Sequence, residues 1–336
     1  MKTRRYESRD VSAPQIPADS SESPLKVRQV SVDERGAGQR LDNFLARILK
    51  DVPRSHIFRV IRKGEVRVNG KRARPETRLQ AHDTVRVPPV RTGAQAPPRR
   101  APASLLDSIT SAIVHEDAQL LVIDKPAGVA VHGGSGVSFG VIEALRAARP
   151  DEHLELVHRL DRDTSGLLLV ARKPAALRTL HALMREGAVE KKYLALVKGK
   201  WELGKKRIDV PLRTDIRVGG ERTVKAHASG KEAVSVFRPV QFFGKKASLV
   251  EVSLETGRTH QIRVHAAHAG HPLAGDQKYG DAEFNERMQV AGLARMFLHA
   301  HQVSFVWPGS GVEFSVSAPL PADLAAVIDS LGDRQR

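Results

Sequence analysis

The run HRLDRDTSG at residues 158–166 gathers acidic, basic and hydroxyl side chains directly before an apolar stretch at residues 167–171. A carboxylate held on such a loop can stabilise or trap a cationic centre, or take up a proton. A loop that is anchored on a buried strand is rigid enough for this work. The same residues are also common in ordinary turns, where Asp161 and Asp163 would accept backbone hydrogen bonds. The pattern alone favours the turn-capping interpretation.

Tyr193 is a second candidate, in the run KKYLALVKG at residues 191–199. A tyrosine can stack its ring on a base while its phenol group exchanges a proton. The chain has only three tyrosines, but a tyrosine at the start of a strand is usually packed in the core. From the pattern alone, we favour a structural role for Tyr193.

Four histidines lie in the run at residues 254–280, namely His260, His265, His268 and His271. Zinc sites usually combine ligand types at suitable spacings, whereas these histidines are distributed around one predicted helix, capped by Thr259 and ended by Gly270. We therefore expect no metal ion. The glycine-rich run at residues 124–136 is not followed by Gly-Lys-Ser or Gly-Lys-Thr, so we expect no bound nucleoside triphosphate and no cofactor.

The elements that must position these residues alternate along the C-terminal two thirds of the chain. Helical patterns occur at residues 141–148 and 175–185. Strand-like apolar runs occur at residues 120–124, 167–171, 193–197, 248–254 and 313–317. We predict an α+β fold for residues 108–336, with a mixed, mainly antiparallel sheet.

Two stretches rich in proline, serine and charge interrupt the apolar pattern and predict domain boundaries. Residues 1–24 are predicted to be a disordered tail, and residues 90–107 a linker. Residues 25–89 then form a small domain, and residues 108–336 the large one. With 336 residues, of which 41% are hydrophobic, the chain is long enough for two cores.

The small domain carries a basic helix. Leu41, Phe44, Leu45 and Ile48 have the spacing of one amphipathic helix, and a second helix is predicted at residues 55–63. A hairpin at Asn69-Gly70 and a strand at residues 84–87 should follow. The outer face of the second helix carries Arg54, Arg59, Arg62 and Lys63.

Residues 40–87, which include RLDNFL, PRSHIFRVIRKGEVRVNGK and DTVRVP, resemble an S4 domain, a small RNA-binding module. The resemblance implies that the basic side chains of the second helix lie along a phosphate backbone, which gives salt-dependent affinity with little sequence readout. The alternative is a solvated helix face with no ligand.

The overall charge favours a polyanionic partner. Lysine and arginine number 54 against 38 acidic residues, a net charge of +16, which suits nucleic acid. An anionic membrane surface is the weaker alternative, because no apolar stretch approaches the roughly 20 residues that span a bilayer. The chain has no cysteine, which is compatible with the reducing cytoplasm, where we expect it to act.

The run HRLDRDTSG resembles the signature of the pseudouridine synthases of the ribosomal large subunit type. KKYLALVKG, LETGRTHQIRVHAAHAGHPLAGDQKYG and ARMFLHA resemble further segments of the same family. The resemblance implies that Asp161 is the catalytic aspartate. It also implies that Arg159 takes the place of a uridine that is flipped out of its stack, which reverses the preference for a turn-capping role.

The other segments imply partners for Asp161. Tyr193 matches the tyrosine that stacks on uracil and assists deprotonation at C5. Arg263 matches the basic residue that pairs with the catalytic aspartate, and Arg258 is the competing choice. Leu298 matches a residue that lines the uracil pocket, and an ordinary core leucine is an equal alternative.

The resemblance implies isomerisation of uridines in 23S ribosomal RNA, free or in a large-subunit assembly intermediate, by a monomer without metal or cofactor. Finer features favour one member of the family, and a second member that acts on different uridines is the alternative. Two other classes stay open. A noncatalytic ribosome-assembly factor would use only the S4-like region, and a metal-dependent RNA hydrolase would cleave its substrate.

Overall fold

The structure is a computed structural model, and it describes residues 27–34, 36–49, 52, 54–89, 101–134, 139–216 and 222–333. The chain divides into two units, residues 1–98 and 99–336. The predicted tail at residues 1–24 lies outside the described residues, and so do residues 90–100 of the predicted linker. Residues 103–107 of that linker are instead helical, because Pro102 precedes a helix whose Leu105 and Leu106 pack against a core.

The first unit has the predicted order of helix, helix, hairpin and strand. Asn69 and Gly70 both have positive φ angles, 49° and 75°, as the tight turn of a two-residue hairpin requires. Its four-stranded antiparallel sheet has the order β1-β4-β2-β3. The elements are β1 (Arg28–Ser31), α1 (Leu41–Ile48), α2 (Arg54–Lys63), β2 (Arg67–Val68), β3 (Lys71–Arg72) and β4 (Thr84–Val87).

The second unit is built on one large sheet, which has the order β10-β13-β14-β9-β15-β8-β6-β5, with β16 paired to β15 and β7 to β8. Its strands pair antiparallel except β8 and β15, which are parallel. The α+β prediction with a mainly antiparallel sheet is confirmed. The strands are β5 (Ile113–Glu116), β6 (Leu120–Lys125), β7 (Glu155–Leu156), β8 (Ser165–Ala171), β9 (Glu190–Lys198), β10 (Lys206–Asp209), β11 (Leu212–Ile216), β12 (Arg222–Ala226), β13 (Val234–Phe243), β14 (Ala247–Leu254), β15 (Leu298–Val306) and β16 (Glu313–Ser317).

Helices cover the two faces of this sheet, and β11 and β12 form a separate antiparallel hairpin. None of the described helices is both long and apolar enough to cross a membrane. The helices are α3 (Ala103–Ser111), α4 (Val141–Ala148), α5 (Pro174–Glu186), α6 (Gln261–His268), α7 (Ala282–Val290) and α8 (Ala322–Asp333).

Strand β8 is buried on both faces, as its continuous apolar sequence indicates. Leu168 and Val170 belong to one core cluster, and Leu167 and Leu169 to another. The sequence did not predict β13, because Pro239 breaks its strand pattern. The structure accommodates that proline with a register shift against β14, between Pro239 and Gln241.

The start of β8 lies against β15 at a close backbone approach. Gly166 pairs with Ala300 and has a φ angle of +108°. A Cβ atom at this position would lie 2.3 Å from the carbonyl oxygen of Ala300. Glycine is therefore required at the end of the polar run at residues 158–166, where the loop enters the sheet.

We predict that Gly166→Ala lowers the free energy of unfolding by about 3 kcal/mol or more, since it combines a strained φ angle with a backbone clash. Gly187→Ala is the matched control. Gly187 has a φ angle of +73° and nothing within 4 Å of the added Cβ atom, so we expect a loss of only about 1 kcal/mol. Urea unfolding of both variants measures the difference. Equal losses would contradict the close approach at Ala300.

Candidate active site

A buried lysine binds the backbone of the polar loop at residues 158–166. Lys125, at the end of β6, is fully buried, and its Nζ atom donates to the carbonyl oxygens of Pro126, Val129 and Arg162 at 2.8–3.0 Å. The backbone N–H of Gly128 donates to the same Arg162 carbonyl at 2.8 Å. Burial lowers the pKa of Lys125 to about 7. Only the ammonium form can donate to all three carbonyl groups, so these bonds favour it.

His158, the first residue of the run, anchors the other end of the loop. The backbone N–H of Leu169 in β8 donates to His158 Nε2 at 3.1 Å. Burial, with a smaller effect from Lys191, lowers the pKa of His158 to about 3. His158 is therefore neutral at physiological pH and accepts this hydrogen bond, which is a structural role.

Between these anchors, Asp161 faces a buried arginine. Arg263 Nη1 lies 3.4 Å from Asp161 Oδ2. Arg263 in turn donates to both carboxylate oxygens of Asp276, from Nε at 2.7 Å and from Nη2 at 2.8 Å. The side chain of Asp276 is only 1% exposed, that of Arg263 is 9% and that of Asp161 is 16% exposed. Exposure therefore increases from Asp276 to Asp161, which reaches the surface of a cavity.

Both carboxylate oxygens of Asp276 accept hydrogen bonds. Besides Arg263, the backbone N–H groups of Lys278 and Tyr279 donate to Asp276 Oδ1 at 2.9 and 3.1 Å. Burial alone would raise the pKa of Asp276, but the hydrogen bonds and the charge of Arg263, with those backbone donors, outweigh it and lower the pKa. The pKa of Arg263 is raised, because its hydrogen bonds to Asp276 and Asp161 and the charges of these two carboxylates outweigh its own burial. The pair is therefore charged, and bidentate geometry fixes the guanidinium.

The helix that carries Arg263 begins differently from the prediction. His260, rather than Thr259, is the N-cap residue of α6, and it has a φ angle of 54° with no side-chain capping bond. Gln261, the first residue of the helix, instead binds the turn before it: its Oε1 atom accepts from Thr256 Oγ1 and from the backbone N–H of Arg258, at 2.8 and 2.9 Å. The predicted capping role of Thr259 is wrong, because the helix begins one residue later and no side chain caps it.

The residues that the family resemblance assigned to the site line one cavity of about 320 Å³: Asp161, Arg159, Tyr193, Leu298 and Arg263. Arg159 is exposed at its edge, whereas Tyr193 and Leu298 are 6% and 3% exposed. Burial, and then the charge of Asp161, raises the pKa of Tyr193, so its phenol group keeps its proton. Arg258, the competing choice to Arg263, also lines the cavity but is exposed and donates to the carbonyl oxygen of Glu232 at 2.9 Å.

Three of the four histidines of this region have separate partners, and one of the three, His260, lies 2.8 Å from Tyr279 Oη through its Nδ1 atom. His265 contacts Ser235 and the carbonyl of Val210, His271 contacts the carbonyl of Lys198, and His268 is exposed. In the part of the chain that the structure describes, no group of three or more histidine or carboxylate side chains is arranged to hold a metal ion.

The basic face of the first unit lies on α2. Arg59, Arg62 and Lys63 are exposed, and their contacts are local: Arg59 with His56 at 2.9 Å, Arg62 with the carbonyl of Phe58, and Lys63 with Glu65 at 3.9 Å. The side chain of Arg54 lies outside the described residues. The charged groups of these three side chains are exposed on one helix, where a ligand can reach them.

Sequence reasoning missed Asp276 and Lys125, on which the geometry depends. Lys125 gave a weak signal, as a lysine two residues after the apolar run at residues 120–123. Asp276 stands in a glycine-rich turn, where aspartate is common for local reasons. Its partner Arg263 is 13 residues away, and only the fold brings the two together.

Comparison with known families supports both units. The family model described as RNA pseudouridylate synthase matches residues 119–268, and the model described as S4 domain matches residues 39–85. The first match contains the runs HRLDRDTSG and KKYLALVKG, and the second overlaps the S4-like residues 40–87. The S4 match covers α1, α2, the hairpin and part of β4.

Curated relatives match nearly the whole chain. The ribosomal large subunit pseudouridine synthase C of Pasteurella multocida (strain Pm70) is 49% identical over 92% of this chain and 95% of its own length. The protein of that name from Escherichia coli (strain K12) is 48% identical over 93% and 98%. Among solved structures, human RNA pseudouridylate synthase domain containing 4 matches with a TM-score of 0.56 and 25% identity, over 68% of this chain and 96% of that one.

We predict that Asp276→Asn destabilises the protein by about 3–5 kcal/mol, since it leaves the charge of Arg263 buried without its carboxylate. Because folding lowers the pKa of Asp276 below 3.8, its stabilising contribution is complete above about pH 5 and is lost as the pH falls through the folded-state pKa. The difference between wild type and variant should therefore shrink in acid. Urea unfolding at several pH values measures it, and a difference that does not change with pH would contradict this account.

Proposed function

Since the chain belongs to the RNA pseudouridylate synthase family, it isomerises uridine in RNA to pseudouridine, and we propose that its substrate is 23S ribosomal RNA. The observation that carries the proposal is Asp161, a carboxylate that lines a cavity of about 320 Å³ and is faced by a buried, fixed arginine. A cavity of this size is in the range of small-ligand pockets. Tyr193 and Leu298 supply an aromatic and an apolar wall for a base.

The reaction breaks the bond between C1′ and N1, turns the uracil, and joins C1′ to C5. A proton leaves C5 and N1 gains one, so the product is an isomer of the substrate. Cleavage builds positive charge at C1′, and a carboxylate beside it can stabilise that charge, form a bond to C1′, or remove a neighbouring sugar proton. Arg263 supports each of these roles, because its guanidinium donates to Asp161 Oδ2 and limits the movement of the carboxylate.

The target uridine must leave its stack to enter the cavity, because C1′ and C5 are inaccessible in a stacked strand. Extrusion costs a few kcal/mol. We propose that Arg159, exposed at the edge of the cavity, occupies the vacated space by stacking and hydrogen bonding. We propose that Tyr193 stacks on the uracil and assists deprotonation at C5 as a relay, its phenol oxygen accepting the C5 proton while its own proton passes on toward N1, which gains one.

We propose that the S4 domain supplies most of the RNA affinity. The exposed cations Arg59, Arg62 and Lys63 on α2, with Arg54, suit phosphate contacts that depend on salt and read little sequence. The segments AVHGGSGVSFGVIE and KYGDAEFNERM favour the target uridines of the C-type large-subunit synthase. Those of the D-type synthase are the alternative. We further propose that the chain acts in the cytoplasm as a monomer, without cofactor or metal, on 23S RNA or an assembly intermediate.

We predict that Asp161→Asn slows pseudouridine formation in large-subunit RNA by about 1000-fold or more, because the amide cannot supply the negative charge. Asp163→Asn is the matched control, two residues away on the same loop, with a side chain that is 47% exposed. It should keep most of the wild-type rate. The assay is pseudouridine detection in purified RNA, with excess EDTA present and the length of the product RNA checked.

Three outcomes would contradict the proposal. Full activity of Asp161→Asn would remove Asp161 from the chemistry. Cleaved RNA, produced by the wild type only when chelator is absent, would favour the metal-dependent hydrolase over the isomerase. A wild type that binds RNA but forms no pseudouridine in any large-subunit RNA would instead favour the noncatalytic assembly factor.

A further inference from the structure

The two oxygens of Asp161 have unequal surroundings. Arg263 Nη1 lies 3.4 Å from Oδ2, and His260 Nε2 lies 3.8 Å from the same oxygen. No described residue forms a hydrogen bond or ion pair with Oδ1. A hydrogen bond from His260 would span about 2.9 Å, so a shift of the carboxylate of about 1 Å would close that contact. Such contacts often tighten when substrate binds.

A chain of hydrogen bonds bears on which ring nitrogen of His260 carries the proton. The backbone N–H of Val224 donates to Tyr279 Oη at 3.0 Å, and Tyr279 Oη lies 2.8 Å from His260 Nδ1. If Tyr279 donates its proton to Nδ1, the neutral imidazole carries its own proton on Nε2, facing Asp161. The other tautomer would place the lone pair of Nε2 against the carboxylate, which is unfavourable.

The protonation states agree with this arrangement. Burial raises the pKa of Tyr279, so its phenol keeps the proton that it donates. Burial lowers the pKa of His260, and the charges of Arg263 and Lys278 act in the same direction, against Asp161 and Asp276. His260 is therefore neutral near physiological pH. Because a neutral imidazole carries only one ring proton, a hydrogen bond donated to one nitrogen places that proton on the other nitrogen.

Packing holds the three groups in place. The ring of Tyr279 lies 5.0 Å from the guanidinium carbon of Arg263 and 5.4 Å from the ring of His260. It also packs against the cluster that contains Val224 and Val264, which joins the β11–β12 hairpin to α6. His260 is the N-cap residue of α6, the helix that carries Arg263, and it has a positive φ angle.

We propose that His260 is a positioning residue for Asp161, held by Tyr279 in the tautomer that presents an Nε2–H group to Oδ2. Arg263 and His260 then hold one oxygen of the carboxylate, and the other, Oδ1, faces the target nucleotide. This inference rests on the proposed function, because it assigns the reacting oxygen of Asp161. It adds to the site a connection from the backbone of the β11–β12 hairpin, through two side chains, to the catalytic carboxylate.

The test uses the full chain with large-subunit RNA and compares single-turnover rates of pseudouridine formation with RNA affinity. Tyr279→Phe keeps the ring over Arg263 but removes the proton donor to Nδ1, so we expect a rate about tenfold lower with little change in affinity. His260→Leu removes the Nε2–H donor, and we expect a loss of about 10- to 100-fold. His268→Leu is the matched control on the same helix, exposed to solvent, and should keep the wild-type rate.

A rescue separates positioning from a purely structural role. The side-chain amide of His260→Gln can place an N–H donor near Asp161 without help from Tyr279, so this variant should be faster than His260→Leu. Adding Tyr279→Phe to His260→Gln should then cost almost nothing, although the same change slows the wild type. Strict additivity of the two changes would overturn the proposal, and so would wild-type rates in both Tyr279→Phe and His260→Leu. If the wild type itself forms no pseudouridine, the proposed function fails instead.

Discussion

Arg263 carries a positive charge into a position where its side chain is 9% exposed, and Asp276, which is 1% exposed, supplies two short hydrogen bonds that keep it there. Neither charge would be tolerable at this depth without the other, since an unpaired buried ion is strongly destabilising. The bidentate contact uses Nε and Nη2 and leaves Nη1 directed at Asp161. The buried pair thus fixes the direction from which Arg263 contacts Asp161, the proposed catalytic carboxylate.

The loop that carries Asp161 is held just as firmly. Lys125 binds the carbonyl of Arg162, His158 accepts a bond from the backbone of Leu169, and Gly166 lies directly against Ala300 of β15. These ties come from the core side of the loop, so they leave the cavity side open for a nucleotide. Catalysis by a fixed carboxylate depends on such preorganisation, because a displacement of even 1 Å can cost about 100-fold in rate. The rigid loop and the buried ion pair therefore both hold Asp161 and Arg263 in the same relative position.

The sequence predicted most of what local pattern controls. The paired helices and hairpin of residues 40–87, strand β8 and helix α4 follow from apolar spacing and turn residues, and the polar run at residues 158–166 was recognisable as a family signature. What it missed depends on contacts between distant residues. Asp276 meets Arg263 only after α6 packs on the sheet, and Lys125 has acceptors up to 37 residues away. The cap of α6 was assigned to Thr259 because hydroxyl residues are common N-caps, whereas the N-cap residue is His260, in a left-handed conformation and without a side-chain capping bond.

We propose that Asp161 is the group through which this chain acts on RNA in the cell. The most direct test maps pseudouridines across 23S ribosomal RNA from cells that lack the protein and carry either the wild-type gene or Asp161→Asn. We expect a small set of pseudouridines to disappear without the protein, to return with the wild type and to stay absent with Asp161→Asn. A complete set of pseudouridines in cells without the protein, or their return with Asp161→Asn, would contradict the account.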